Sequence, residues 1–182
     1  MRGAVTTGVG AGLGFLLASV AVLASCGGSS SPETLVGEWE LERDCLKIVQ
    51  GLEEAGLEEF TLEVIAVAEM VPGVVNDPTQ FEDPTKPCKG ASPSKHSHFF
   101  TAEGQFGSRN EFGQQVDAVP YEVVGDDTFI LGGQATFNYE IDGDTLMLEP
   151  VIPGDCSTEA CHENAVLSIS VAFPGQTWQR IE

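Results

Sequence analysis

Two histidines two positions apart, His96 and His98, are the residues of this chain best spaced for chemistry. On a strand, side chains two apart leave the same face, and paired imidazoles on one face have metal-ligand spacing. His162 and Glu163, beside Cys161, are the nearest candidates for further ligands. A histidine pair without a third placed ligand is more simply a polar strand face, so no metal and no cofactor are expected. Asp126-Asp127 and Asp142-Gly143-Asp144 offer carboxylates. Neither has the ligand spacing or the closing glutamate of a calcium loop, and both read as turns. No Gly-x-Ser-x-Gly elbow, Ser-x-x-Lys, His-Glu-x-x-His or phosphate-cradling glycine loop occurs, so the chain is not expected to be an enzyme. Paired carboxylates for glycoside hydrolysis keep an envelope hydrolase as the third reading.

Cys26 is a different kind of candidate. It follows Leu23-Ala24-Ser25 at the end of a charge-free run, Val5 to Leu23, that is itself preceded by Met1-Arg2. A short positive start, an apolar run and small residues form a secretory signal pattern. The quartet Leu23 to Cys26 resembles the lipobox of bacterial lipoproteins. The resemblance implies that residues 1–25 are a removed signal peptide and that Cys26 carries a thioether-linked diacylglyceryl group and an N-acyl chain. It further implies a protein held at the cell membrane on its extracytoplasmic face, with the lipid as its one membrane contact. At ~0.8 kcal/mol per buried methylene, two acyl chains make a lasting anchor. Residues 26–34 read as the lipidated cysteine and a flexible tether. The stretch Gly27-Gly-Ser-Ser-Ser-Pro32 spans roughly 13 Å as a coil.

The 182 residues carry 28 acidic and 8 basic side chains, a formal charge of −20. Removing residues 1–25 takes away one arginine and no acid. Such charge opposes nucleic acid and anionic headgroups, which need clustered lysine or arginine. A solvated acidic face that keeps an exported protein soluble is the plain explanation.

With Cys26 assigned to lipid, Cys45, Cys88, Cys156 and Cys161 remain. Four cysteines in an exported domain read as two disulfides with three possible pairings. The short polar loop Gly154 to Glu163 favours Cys156–Cys161, which leaves Cys45–Cys88. Zinc is the rival use, but no Cys-x-x-Cys pair occurs.

The elements that must position these residues follow from periodicity. Leu35 to Leu41 predicts a first strand. Asp44 predicts a helix cap for Leu46, Val49 and Leu52, and Leu57 to Met70 predicts a second helix, so residues 44–70 form a helical insertion. Asn76 to Pro93 is loop chemistry, which a bridge at Cys88 would constrain. From Lys95 the period is two: Lys95 to Thr101, a piece near Gln105, Val123-Val124, Thr128 to Leu131, Ala135 to Ile141, Thr145 to Leu148, Leu167 to Phe173 and a strand around Trp178. The chain is thus expected to be mainly β with an α insertion (α+β), with about eight strands in an antiparallel up-and-down barrel over residues 35–182. Phe99, Phe106, Phe129, Phe137, Tyr139 and Phe173 are the expected inward aromatic set, as filled core rather than pocket.

Gly37-Glu38-Trp39 in the first strand, with Arg180 in the last, resembles the lipocalin and wider calycin signature, in which the arginine lies over the tryptophan at the closed barrel end. The remainder is similar to small lipocalin-like lipoproteins of actinobacteria, through His98-Phe99-Phe100, Phe106-Gly107-Ser108, Ile141 to Leu146 and Pro174-Gly175-x-x-Trp178. That similarity implies no activity. The helical insertion departs from the lipocalin pattern, where the first strand runs into a loop. The leading functional expectation is a non-catalytic binding module for a small hydrophobic ligand. The alternative is a structural or protein-binding surface module with a filled barrel and an envelope protein as partner.

Overall fold

The computed structural model describes residues 35–110, 112–154 and 156–181. The signal peptide, Cys26 and the tether of residues 26–34 lie outside the described residues. Eight antiparallel strands form a closed up-and-down barrel in chain order: β1 (Gly37–Arg43), β2 (Ser94–Phe100), β3 (Gln105–Arg109), β4 (Gln115–Val123), β5 (Thr128–Leu131), β6 (Ala135–Asp142), β7 (Thr145–Pro150) and β8 (Thr177–Arg180). Helices α1 (Cys45–Glu54) and α2 (Thr61–Val67) lie between β1 and β2, and α3 (Glu159–Val171) lies between β7 and β8.

The register separates two ends. At the lower end, Gly37 pairs with Phe100 and Asp142 with Thr145, and the strands are joined there by turns at 101–104, 124–127 and 143–144. At the upper end, Arg43 pairs with Ser94 and Arg109 with Gln115, and all three helices join strands there. The interior holds Phe100, Phe106, Phe129, Phe137, Tyr139 and Trp178, each no more than 3% exposed. Their rings meet edge-on and stacked, Phe100 to Phe106 at 5.0 Å and Phe129 to Phe137 at 5.0 Å. Aromatic pairs in such geometries add to simple burial.

Trp39 and Arg180 meet as the sequence suggested. Arg180 Cζ lies 4.0 Å from the centre of the indole, its Nη1 donates to Val36 O at 2.8 Å, and Trp39 Nε1 donates to Leu35 O at 3.0 Å. Trp39 and Arg180 are also direct partners across β1 and β8. The first and last strands are therefore closed on each other at the lower end.

Asp44 caps α1, its Oδ1 accepting from Leu46 N at 3.0 Å. The helix buries Ile48 and Leu52 and brings Gly51 against the Pro174-Gly175 turn. A Cβ at Gly51 would stand 2.1 Å from Pro174 O, so only glycine permits this approach. The second predicted helix is shorter than its apolar period. A 3-10 turn over Glu58–Phe60 precedes α2, which ends at Val67 because Glu69 takes a positive φ of 52° and turns the chain away.

Three further expectations are corrected. Leu167 to Phe173 is no strand: α3 runs to Val171. Its run of apolar and small residues satisfies a helical period as well as an alternating one, since Ala165, Val166, Ile169 and Ala172 are buried while Leu167 is 55% exposed. Thr158 sets the helix start, its side chain accepting from Cys161 N. The remaining predicted strands are the eight of the barrel, but β4 begins at Gln115 rather than near Val123 and carries Pro120 within it. Phe99 does not join the inward set. Because His98 and Phe100 on either side face inward, the pleat turns Phe99 out over Gly107, where Arg109 Cζ sits 4.9 Å from its ring.

Both disulfides form, Cys45–Cys88 and Cys156–Cys161, with Cα separations of 5.7 and 5.2 Å. Their sulfurs are not zinc ligands. Cys45–Cys88 ties the first residue of α1 to the long loop 76–93, across a sequence separation of 43 residues. Replacing both cysteines with serine should cost about 4 kcal/mol by loss of chain constraint. Urea unfolding of oxidised wild type against the double variant measures it, and equal midpoints would mean that the loop is held by its other contacts.

Candidate functional site

At the upper end the helices do not lie flat on the barrel. Between α2, α3 and the β3–β4 hairpin is a cleft of ≈ 580 Å³. Its inner wall comes from alternate inward residues of β1, β2 and β3: Arg43, Ser94, His96, His98 and Ser108. The C-terminal ends of α2 and α3 supply Val67, Glu69, Leu167 and Val171. The hairpin contributes Phe112, 77% exposed, and Val116, 59% exposed. The cleft is thus polar inside, with exposed apolar side chains beside the carboxylates of Glu69 and Asp117 at its rim, which suits a ligand with both polar and apolar parts.

His98 is the best-fixed group in it. The ring is 1% exposed and stacks on Trp178 at 4.3 Å. Its Nε2 lies 2.9 Å from Val171 O and its Nδ1 lies 3.0 Å from Ser108 Oγ. A carbonyl only accepts, so Nε2 carries the proton, and the neutral ring then accepts from the Ser108 hydroxyl through Nδ1. One side chain of β2 so connects β3 to the C-terminal end of α3. Burial, with the nearby Arg43 guanidinium, lowers the His98 pKa to about 4. Burial, then the charges of His98 and Arg43, lowers that of His96 to about 3. Both imidazoles are neutral at physiological pH.

His96 differs from His98 in being partly open to the cleft. It has no hydrogen-bond partner among the described residues, while its ring stands 5.0 Å from His98, edge-on. Its ring nitrogens are thus open to a bound molecule in the cleft. Arg43 donates Nη1 to Ala68 O at 3.1 Å and Nη2 to Ser94 Oγ at 3.1 Å, so the guanidinium braces the end of α2 against β2. Asp117, on the outer part of the cleft, accepts from Ser108 N at 2.6 Å beside a register shift between Ser108 and Arg109.

No protein-family model and no curated protein matches the chain.

Ser108 hydrogen-bonded to His98, with Val171 O orienting the ring, has the outline of a nucleophile, a base and an orienting group. The outline is not matched by reactivity. A base whose pKa has fallen to about 4 withdraws a serine proton weakly, and Ser108 is only 4% exposed. The arrangement is a bolt between strand and helix.

The structure does bring His96 and His98 to one face, as their spacing predicted. It does not bring His162 and Glu163 to them. Those two line a second groove, ≈ 300 Å³, between α2 and α3. There His162 Nε2 contacts Glu63 Oε2 at 2.5 Å and its ring lies 4.9 Å from Phe60. Among the described residues no group of three or more His, Cys, Asp or Glu is placed to hold a metal ion. Asp127 and Asp144 serve turns, their carbonyls accepting from Tyr139 N and Arg180 N at 2.8 Å each. Sequence reasoning missed Arg43, Ser108, Phe112 and Val116. Phe112, an aromatic within Arg109-Asn-Glu-Phe-Gly113, was the one available signal, since a turn gains nothing locally from an exposed ring.

Proposed function

We propose that this protein is a lipid-anchored extracytoplasmic lipoprotein whose barrel presents a non-catalytic binding site for a small hydrophobic ligand at its upper mouth. The observation that carries the reading is the cleft itself, with unpartnered His96 inside and Phe112, Val116 and Leu167 exposed at the rim. With the barrel interior filled by aromatics, the mouth is where a ligand finds space. Anchoring is supported by Leu23-Ala24-Ser25-Cys26 and agrees with two disulfides, which persist in oxidising compartments. Trp39 under Arg180 supports kinship with the lipocalin signature.

In an anchored protein of this topology the point of attachment lies away from the cleft. β1 begins at the lower end, so a tether leading into Gly37 attaches there, opposite the cleft. The tether itself then leaves the mouth uncovered and open to the outer medium. Native mass spectrometry of protein extracted from envelopes should show a bound small molecule that is lost from a His96→Ala, Phe112→Ala variant. Bare protein in repeated preparations would favour the filled-barrel surface module, for which exposed Phe112 is a natural contact. Failure of a Cys26→Ala form to leave the membrane fraction would remove the anchoring claim alone.

A further inference from the structure

The cleft and the second groove adjoin, and together they trace a track along α2 and α3. Both are lined by Val67 and by Leu167. The cleft lies at the C-terminal ends of α2 and α3, and the groove continues back along both helices past Val166 to Glu63 and His162. From Val171 to His162 is nine residues of helix, roughly 13 Å. The track begins at polar side chains and runs on over an apolar seam.

Resting on the binding-module reading, we propose that this track holds an uncharged single-chain amphiphile, its hydrogen-bonding head at His96 and its acyl tail along the α2–α3 seam. Charge decides the head. Glu69 and Asp117, both exposed, stand at the outer part of the cleft, and two helix C-termini direct their partially negative ends into it. Arg43 already donates to the end of α2. An anionic head meets carboxylates on the way in, while a cationic head meets the Arg43 guanidinium inside. A hydroxyl, ester or amide head meets neither penalty and can use His96 as donor or acceptor. The tail is matched by a seam whose open side, at Leu167, is 55% exposed without it.

The test uses the anchored protein in nanodiscs, with empty nanodiscs as blank, and a dodecanoylglycerol carrying a photoreactive diazirine at the tail end. Cross-links are expected in peptides 63–67 and 162–167, and excess unlabelled dodecanoylglycerol should displace them. Dodecanoate and dodecyltrimethylammonium, which share the tail, should displace at least tenfold less well. Affinity should rise up to about fourfold per added methylene until the groove is full, and then level. Leu167→Glu, at an exposed position that the fold tolerates, should weaken labelling tenfold or more, and His96→Ala should weaken it without moving the cross-link. Label confined to barrel strands, equal displacement by the charged probes, or an unaltered Leu167→Glu variant would overturn the proposal. If label is absent while native mass spectrometry still finds another small molecule that depends on His96 and Phe112, the amphiphile assignment fails and the binding-module reading stands.

Discussion

Trp39→Ala is expected to remove about 5 kcal/mol of stability, enough to unfold many single domains outright. The indole is fully buried where β1 and β8 close, so its deletion leaves a cavity at the barrel seam. Loss of a buried tryptophan costs ~3–5 kcal/mol through transfer and cavity formation together. Removing the ring also takes away the face on which Arg180 rests at 4.0 Å, worth about 0.5–2 kcal/mol, and the donor to Leu35 O. Arg180→Ala should cost less, because Trp39 stays packed and only the cation over its face and the bond to Val36 O disappear. Equilibrium urea unfolding of the two single variants and the double variant gives the coupling, expected at about 0.5–2 kcal/mol. If Trp39→Ala shifts the unfolding free energy by less than ~1 kcal/mol, closure of the barrel does not depend on this pair.

Acid should weaken the fold well before most carboxylates titrate. In the unfolded chain both histidines titrate near 6.5, while burial holds His98 at about 4 and His96 at about 3 in the native protein. Above pH 6.5 neither state binds the proton and the histidines leave stability unchanged. As pH falls below 6.5 the unfolded chain takes up protons that the native chain refuses, so stability is lost until the folded values are reached. For His98 the whole loss is on the order of 3 kcal/mol, of which about 2 arises by pH 5. His96 adds to this, discounted because its ring faces the cleft. Below about pH 5 protonation of the many carboxylates relieves self-repulsion and opposes the trend, so the clean window is pH 7 to 5.5. Unfolding free energies across that window should fall with pH in wild type, and a His96→Gln, His98→Gln variant should show a flatter profile. A wild-type profile as flat as the variant's would mean that the cleft hydrates and protonates both rings without cost.

Sequence and structure agree most closely where one residue dictates its neighbours. Asp44 announced α1, Asp142-Gly143-Asp144 announced the β6–β7 turn, and alternation over Ala135 to Ile141 gave the faces of β6 correctly. The pairing of cysteines followed from loop length and parity. The misplaced elements are those where one local pattern fits two structures. Leu167 to Phe173 alternates like a strand, yet the cap at Thr158 and the need to bridge the upper barrel mouth between β7 and β8 make its upstream part α3. β4 reaches back to Gln115, well before the expected Val123, because a barrel strand can carry Pro120 exposed at its paired position opposite Gln105.

The candidate site was legible only in halves. His96 and His98 stood out by spacing, and strand pleating does put them on one face. The partners of His98 lie 73 and 10 positions away, at Val171 and Ser108, so no local pattern could couple them. Phe112 and Leu167 belong to different elements and become one rim because a hairpin and a helix share the barrel's upper end.

By itself the sequence determined the β-rich alternation, the turn chemistry, the even cysteine count, the acidic surface and the expectation of a lipid address at Cys26, because each depends on residue type and short spacing. Tertiary structure alone decided that Phe99 turns out of the barrel, that His98 fastens α3, and that a cleft lies at the upper mouth. Those outcomes depend on which distant surfaces meet when eight strands close, and closure is set by packing across the whole chain.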